Sequence, residues 1–234
     1  MSMDFRQLSE RLERIYSKRF ALRPVCLADG WPLFEATRNP SFNKHLLWEQ
    51  PSAEAQALSR IDAIVEASRR GQMAAVSAVV KHTGEWASLF RFQPYCGDPN
   101  AMEMGIWTHD RFWHGRFSFD LARLCVEAAF LNSDAHRLIG AAAPENRASC
   151  HLMKAGGMSP TALVTRHDEN ERAVVLQEYA VTRAEWQACT RRPASFEYFP
   201  VAPMWTDAAA PPPRVDIAAA LGAPANGSEA LLVA

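Results

Sequence analysis

The stretch GIWTHDRFWHGRFSFDLARL, from Gly105 to Leu124, combines residue types that could bind an anion. Its pattern predicts a strand, then a short loop that carries Arg111, His114, Gly115 and Arg116, then a helix. The first turn of a helix leaves backbone N–H groups without intrahelical partners, so a loop that enters a helix can bind phosphate. The single glycine lies between two cationic side chains, whereas phosphate loops usually place glycines where the backbone approaches the ligand. The stretch is therefore either a phosphate-binding loop or a turn with positive charge nearby.

The sequence indicates neither a metal site nor a covalent nucleophile. His109 and His114 are five residues apart, but they lack the cysteine or carboxylate spacing of a metal site. The five cysteines are widely scattered and no pair has C-x-x-C spacing. No G-x-S-x-G motif or Walker-type loop is present, and Cys150 has no identifiable base beside it. We therefore expect no metal, and the unpaired cysteines predict a reducing compartment.

Length and charge narrow the classes of partner. The chain has 234 residues, a formal net charge of -1 and a sequence pI of about 6.7. Because the charge is balanced and Lys and Arg form no stripe, we expect no nucleic-acid partner. No apolar run approaches the ~20 residues that cross a bilayer, and the N-terminus is too charged for a secretory signal. These observations predict a cytoplasmic protein with no membrane partner.

The hydrophobic pattern predicts an α+β domain, with helices on both faces of a mixed, mostly antiparallel sheet. An amphipathic helix is expected from Phe5 to Ile15, and a long helix over residues 53–71 with Ser52 as its N-cap. The helix after the loop is expected to have five residues on its apolar face: Phe117, Leu121, Leu124, Ala128 and Leu131. The strands are predicted at residues 20–25, 73–82, 85–92, 101–108, 136–144, 162–167 and 173–182. In this order the loop opens a β-α-β crossover, a place where ligands bind in such sheets.

A change in composition predicts where the folded domain ends. Seven of the fifteen prolines lie at or after Pro193, among many alanines and glycines. Few large apolar groups are available there to offset the entropy of ordering the chain. We therefore predict a working domain over residues 1–190 and a mostly disordered tail over residues 191–234. Within the tail, the aromatic segment FEYFPVAPMW is expected to dock on the domain, and binding to a partner is the alternative.

Several segments, taken in order, resemble the GNAT superfamily of acyl-CoA-dependent N-acyltransferases, most closely its ribosomal-protein N-acetyltransferase branch, the RimJ/RimL type. The resemblance covers about residues 20–187. LRPV resembles the entry strand, and RNPSFNKHLLW the segment before the long helix. MGIWTHDRFWHGRFSFDL and HRLIGAAAPENRASCHLMKAGGM resemble the two cofactor strands with their helices, and LQEYAVTRAEW the closing strand. The resemblance implies a GNAT-like fold, acetyl-CoA or another acyl-CoA as cosubstrate, and an amine-bearing acceptor.

The family's pyrophosphate loop has the pattern Q/R-x-x-G-x-G/A, and this chain departs from it. Arg111 fills the first slot, while His114 and Arg116 occupy the two slots for small residues. These two residues could bring charge to the phosphates, narrow the site, or fit a donor other than acetyl-CoA. The resemblance implies a pyrophosphate site formed by Arg111, His114, Gly115, Arg116, Phe117 and Ser118.

The strand before the loop carries the expected chemistry of acyl transfer. The resemblance implies that Ile106, Trp107 and Thr108 bind the pantetheine arm and the thioester carbonyl, because the end of this strand separates from its neighbour in the family. Glu103 is the candidate general base, since an amine must lose a proton before it attacks a thioester. The alternative for Glu103 is a half-buried strand carboxylate that is paired with an arginine or solvated.

Asn146 and Ser149, in PENRASC, match the family's N-x-x-S pattern at the start of the second cofactor helix. The resemblance implies that Asn146 binds pantetheine and that Ser149 lies near the sulfur as the acid for the thiolate. The alternative is that Asn146 caps the helix and Ser149 is a polar residue of its first turn.

The resulting hypothesis is an acyl-CoA-dependent N-acyltransferase that acts by direct attack in a ternary complex. Its acceptor would be a small-molecule amine or a protein N-terminus, and a homodimer is compatible with the sequence. Two alternatives stay open: a GNAT-fold module that binds a ligand or partner without catalysis, and an acyltransferase whose donor is an acyl-carrier protein.

Overall fold

Nine strands form one sheet in the computed structural model, which describes residues 3–13, 15–45, 47–113, 115–189 and 197–198. The strands are β1 (Ile15–Tyr16), β2 (Phe20–Pro24), β3 (Ala74–Val80), β4 (Trp86–Tyr95), β5 (Asp98–Thr108), β6 (Arg137–Ala142), β7 (Ser159–His167), β8 (Ala173–Thr182) and β9 (Glu197–Tyr198). Their order across the sheet is β7-β8-β6-β5-β4-β3-β2-β1-β9.

Helices cover both faces of this sheet. They are α1 (Phe5–Leu12), α2 (Gly30–Thr37), α3 (Pro40–Asn43), α4 (Glu54–Arg69), α5 (Arg116–Asn132), α6 (Arg147–Ala155) and α7 (Arg183–Ala188), with 3₁₀ turns at Leu27–Asp29 and Asp110–Phe112. Buried side chains of α1, α5, α6 and α7 form a core on one face, which we call the α5 face. Those of α2, α3 and α4 form a second core on the other, the α4 face.

The predicted fold class is confirmed. β5 and β6 pair in parallel, and the other strand pairs of the described residues are antiparallel. α5 connects the two parallel strands, so the stretch that begins at Gly105 does open a β-α-β crossover.

The helix boundaries differ from the sequence expectations at two places. α1 ends at Leu12, and Ile15 belongs to β1. α4 begins at Glu54 with Ala53 in the N-cap position, because the Ser52 hydroxyl donates to Gln56 Oε1 at 3.1 Å rather than capping the helix.

The apolar face of α5 differs from the prediction at its two ends. Three of its five predicted residues are buried, Leu121, Leu124 and Ala128, but the two outer ones are not: Phe117 is 41% exposed and Leu131 is 42% exposed. Because α5 packs against the sheet, α1 and α6, it buries residues on more than the one face that its apolar pattern predicts. The ring of Phe117 instead packs edge-to-face on the periphery of the core.

Two predicted segments lie wholly or largely outside the described residues. Of the predicted tail, residues 191–234, the structure describes only Glu197–Tyr198, whose backbone pairs with β1. His114 of the loop also lies outside the described residues.

Arg183 holds the C-terminal end of α5 in place. Its guanidinium donates to the backbone carbonyl oxygens of Phe130 at 3.0 Å, Ser133 at 2.6 Å and Ala135 at 2.9 Å. Carbonyl groups at the end of a helix have no intrahelical partner, and a planar cation with five donors can satisfy several of them at once. This contact ties the crossover helix to α7, which follows β8.

We predict that Arg183→Ala lowers the free energy of unfolding by roughly 2–4 kcal/mol, because three carbonyl groups lose a charged donor. Arg183→Lys, which keeps the charge but not the planar fork, should lose less. Arg172→Ala is the control, since Arg172 is 74% exposed in its pair with Asp168 and surface pairs contribute about 0–1 kcal/mol. Urea unfolding measures all three; equal losses for Arg183→Ala and Arg172→Ala would contradict the anchoring role.

Candidate active site

A cavity of about 590 Å³ lies where β5 and β6 separate. The two strands pair only between Ala101–Glu103 and Arg137–Ile139. Beyond these residues, both Met104–Thr108 of β5 and Gly140–Ala142 of β6 line the cavity. Each strand keeps its other neighbour along this stretch, β4 for β5 and β8 for β6. Backbone groups that face the gap therefore have no strand partner there, and such groups bind well to a ligand.

The cavity is lined from both faces of the sheet. On the α5 face its lining includes the first turns of α5 and α6, and on the α4 face it includes α3 and the segment after it. We call the α5-face part the donor side, with Ser118, Leu121, Ala122, Asn146, Ser149 and Leu152. We call the α4-face part the acceptor side, with Ser41, Phe42, Lys44, His45, Leu47 and Trp107. Two reactants could thus meet through the gap from opposite faces.

Alternation along β5 assigns its side chains to these two sides. Met104 and Ile106 pack with the core of the α5 face, and Trp107 packs with that of the α4 face. Glu103 is the last residue of β5 that pairs with β6, and it lines the cavity. The carboxylate of Glu103 therefore lies where the gap begins.

Arg166 of β7 holds the Glu103 carboxylate. Arg166 Nη1 donates to Glu103 Oε1, and its Nη2 donates to Glu178 Oε1 at 3.1 Å. The Tyr95 hydroxyl donates to the same Glu178 carboxylate at 3.1 Å. Burial by itself would lower the pKa of Arg166, but the charges and hydrogen bonds of the two glutamates outweigh it and raise that pKa. The arginine-paired carboxylate is the alternative that the sequence left open for Glu103, and here the pair borders the cavity.

A second arginine lies beneath the same region. Arg91 is 5% exposed, and its guanidinium lies over the Trp107 ring at 4.8 Å. Burial lowers the pKa of Arg91 to about 10, while the charge of Glu103 acts in the opposite direction, so the side chain is cationic at neutral pH. A Cβ at Gly105 would lie 3.1 Å from Arg91 Nη2. The glycine therefore gives this cation its space, a role that the sequence did not indicate.

Asn146 and Ser149 border the donor side of the cavity. Asn146 Oδ1 accepts a hydrogen bond from the Ser149 backbone N–H at 3.1 Å, so Asn146 is the N-cap of α6. Asn146 therefore both caps α6 and borders the cavity.

The loop between β5 and α5 and the first turn of α5 line the cavity only in part. Ser118 and Trp113 line the cavity, and Trp113 Nε1 donates to the Thr108 carbonyl at 2.7 Å. Arg111 forms an ion pair with Glu85 and does not line the cavity. Gly115, Arg116 and Phe117 are also absent from the lining. Gly115 has a φ of +69° as the N-cap of α5, a conformation that favours glycine.

The wall at the acceptor side depends on a contact between distant segments. Glu169, in the turn between β7 and β8, accepts from Arg60 Nη2 at 2.7 Å and from the Glu49 backbone N–H at 2.9 Å. Its own N–H donates to the Leu47 carbonyl at 3.0 Å. Arg60 also lies over the Trp48 ring at 4.3 Å. These contacts fix residues 47–49 between α4 and the turn, and Leu47 lines the cavity. No local sequence motif indicates the contacts made by four residues around the cavity: Arg60, Arg91, Arg166 and Glu169.

In the part of the chain that the structure describes, no helix is long and apolar enough to span a bilayer. Within the same residues, no three His, Cys, Asp or Glu side chains are grouped so that they could hold a metal ion.

Comparison with known proteins gives a family and a fold. Residues 19–159 match the family model described as an acetyltransferase (GNAT) domain. A GNAT-family acetyltransferase from Bacillus anthracis is 18% identical with a TM-score of 0.61, over 72% of this chain and 97% of that chain. No curated protein sequence matches significantly.

Two further solved structures hold coenzyme A or its disulfide. RimL, an α-N-protein acetyltransferase in complex with coenzyme A, is 14% identical with a TM-score of 0.60, over 71% of this chain and 95% of that chain. RimJ from Mycobacterium smegmatis, in complex with CoA-disulfide, is 19% identical with a TM-score of 0.56, over 71% of this chain and 83% of that chain. At these identities the likeness is one of fold.

We predict that Glu169→Ala makes residues 47–49 more mobile, because they lose their hydrogen bond to the Glu169 carboxylate. Loss of a charged acceptor should speed hydrogen exchange at the Glu49 amide by about tenfold or more. Asn170→Ala is the matched control, because the Asn170 side chain donates to the Glu49 side chain, from Nδ2 to Oε1 at 3.1 Å, and not to the Glu49 backbone. Unchanged exchange in Glu169→Ala, measured by NMR or mass spectrometry, would contradict the assigned role.

Proposed function

Because the chain belongs to the GNAT acetyltransferase family, we propose that it transfers an acyl group, most simply acetyl, from a CoA thioester to a primary amine. The observation that carries the proposal is the cavity between β5 and β6, which is lined from both faces of the sheet. One face would take the donor and the other the acceptor, so that the amine attacks the thioester directly in a ternary complex.

The donor is assigned to the α5 face because two helices begin there beside the cavity. The N-termini of α5 and α6 point backbone N–H groups and positive partial charge at this side, which suits phosphate groups. The backbone of Ile106, Trp107 and Thr108, unpaired toward β6, would bind the pantetheine arm and the thioester carbonyl oxygen. Gly115, Arg116 and Ser118 at the start of α5 would hold the pyrophosphate, with His114 and Phe117 beside them. Arg111 would join them only by leaving its ion pair with Glu85.

The acceptor amine would enter from the α4 face, near the aromatic rings of Phe42 and Trp107. Its nitrogen attacks the carbonyl carbon, the C–N bond forms and the C–S bond breaks. Glu103 takes the proton that the amine loses, and Ser149 supplies a proton to the departing thiolate. Arg166 keeps the Glu103 carboxylate oriented toward the gap. The acceptor is a small-molecule amine or a protein N-terminus, and the homodimer and the cytoplasmic location stay predictions.

A second candidate function is favoured by two contacts at the site. The Glu103 carboxylate already accepts a hydrogen bond from Arg166, and Asn146 already caps α6. Both contacts also fit a GNAT-fold module that binds a ligand without catalysis. Binding and turnover must therefore be measured separately.

We predict that CoA raises the thermal stability of the protein. A ligand at about 100 times its Kd adds ~2.7 kcal/mol, which is roughly 5–10 °C for a chain of this size. Thiol release from acetyl-CoA should then depend on an added amine, tested with a panel that includes peptide N-termini. No shift at millimolar CoA would overturn the proposed function. A shift without thiol release from any amine would favour the non-catalytic module.

We predict that Glu103→Gln lowers turnover by about 10²–10⁴-fold, the usual effect of losing a general base, and leaves the Kd of CoA unchanged. Glu178→Gln is the matched control, because Glu178 pairs with the same Arg166 but does not line the cavity. It should lower turnover much less. Equal losses in the two variants would mean that the ion-pair network, rather than proton transfer by Glu103, sets the rate.

A further inference from the structure

Lys44 and His45 follow α3 and line the acceptor side of the cavity. Lys44 is exposed and His45 is half-buried. The helix before them packs on the core of the α4 face, because the ring of Phe42 stacks on that of Trp113 at an interplanar angle of 6° and lies edge-to-face with that of Trp48. Two side chains that can donate hydrogen bonds are therefore carried to the cavity by a packed segment.

Neither side chain has a partner within the residues that the structure describes. The Lys44 ammonium and the His45 ring take part in no ion pair, hydrogen bond or ring contact there. Glu49 and Asp110, the carboxylates of adjoining segments, accept hydrogen bonds from asparagine side chains and do not line the cavity. Because a lysine ammonium carries three donors and a full charge, it can bind an anionic group of a ligand.

The other charges of the site come in equal numbers of each sign. They belong to the remaining charged residues of the cavity lining and to two buried residues that interact with these. They are the cations Arg91, Arg147 and Arg166 and the carboxylates Glu103, Glu145 and Glu178. Since these charges cancel, the Lys44 ammonium leaves the acceptor side with an excess of positive charge, to which His45 adds when it is protonated.

Apolar side chains surround this excess charge. Phe42, Leu47, Trp107 and Leu176 line the same part of the cavity, and all four are buried. An apolar wall lowers the local dielectric constant, so charges interact more strongly there than in water. An acceptor with a second ammonium group would be repelled by Lys44, whereas an acceptor with an anionic group would be attracted.

We propose that the natural acceptor is a primary amine that also bears an anionic group, a carboxylate or a phosphate, and that Lys44 and His45 bind this group. The inference rests on the proposed function and names the substrate class of its acceptor side. The helix N-termini that would hold the donor phosphates begin on the opposite face of the sheet, so these two residues are left to the acceptor. Complementary charge of this kind selects among substrates more than it adds affinity.

The test compares acceptors that differ in one charged group. The kcat/KM for thiol release from acetyl-CoA is measured with three matched pairs: β-alanine and its amide, phosphoethanolamine and ethanolamine, and peptides that begin with Asp or Asn. These pairs separate a small carboxylate, a phosphate and an acidic protein N-terminus. The readout is the ratio of kcat/KM within a pair, compared between wild type and Lys44→Gln, Lys44→Glu or His45→Gln. This comparison cancels the different basicity of the two amines.

Lys18→Gln is the matched control. Lys18 is also an exposed lysine, but it lies between β1 and β2 and does not line the cavity. Thermal midpoints without ligand establish that each variant is folded.

We expect the anionic member to be the better acceptor of wild type in at least one pair. Lys44→Gln should lower that ratio by about three- to tenfold, between the effects of an exposed ion pair and of a hydrogen bond to a charged group. Lys44→Glu should lower it further, because attraction becomes repulsion. His45→Gln should have a smaller effect and Lys18→Gln none. Added salt should lower the ratio of wild type more than that of Lys44→Gln.

The same ratio in wild type and Lys44→Gln for every pair would overturn the inference while leaving the proposed function intact. A wild type that prefers the uncharged member of every pair would overturn it as well. Absence of thiol release with any amine would instead remove the proposed function itself.

Discussion

The separation of β5 from β6 is the constraint on which the rest of the site depends. A nine-stranded sheet would ordinarily continue its hydrogen-bond ladder through the middle, but these strands pair over only three residues each. Their unpaired backbone groups would be costly to bury without partners. The gap persists because each strand is held from its other side, β5 by β4 and β6 by β8. The helices that follow the two strands then begin on the same face, beside the gap.

Small residues let the surrounding side chains approach the two strands closely. A Cβ at Gly140 of β6 would lie 2.9 Å from Met153 Sδ of α6, and Gly105 of β5 leaves space for the Arg91 guanidinium. One glycine therefore permits close packing of α6, while the other accommodates a buried cation on the opposite face. The two faces of the sheet therefore differ beside the gap. α6 packs on the α5 face, and the Arg91 guanidinium lies on the α4 face.

Charge on the acceptor side is organised by pairing. Glu103 and Glu178 share Arg166, and Arg91 lies close enough to Glu103 for the charge of that carboxylate to affect its pKa. Buried charges require partners, so a carboxylate at the mouth of the gap needs a cation from a neighbouring strand. The same pairing can orient a proton acceptor or simply neutralise it. The donor side instead offers helix N-termini and exposed cations, which fits phosphates better than an amine.

The sequence by itself determined the order of elements and the two faces of β5. Strict alternation separates Met104 and Ile106 from Glu103 and Trp107, and the change from strand to helix period after Thr108 placed the crossover; both patterns are local. Only the tertiary structure decided which residues meet. Arg166 reaches Glu103 across 63 positions, and Glu169 holds a segment more than a hundred positions away. These contacts depend on the order of strands in the sheet, which places β8 beside β6 and brings the β7–β8 turn over residues 47–49. The ion pair of Arg111 with Glu85 likewise joins two separate turns of the chain. The period of α5 predicted its buried centre, but the exposure of Phe117 and Leu131 at its ends depends on where the neighbouring elements stop.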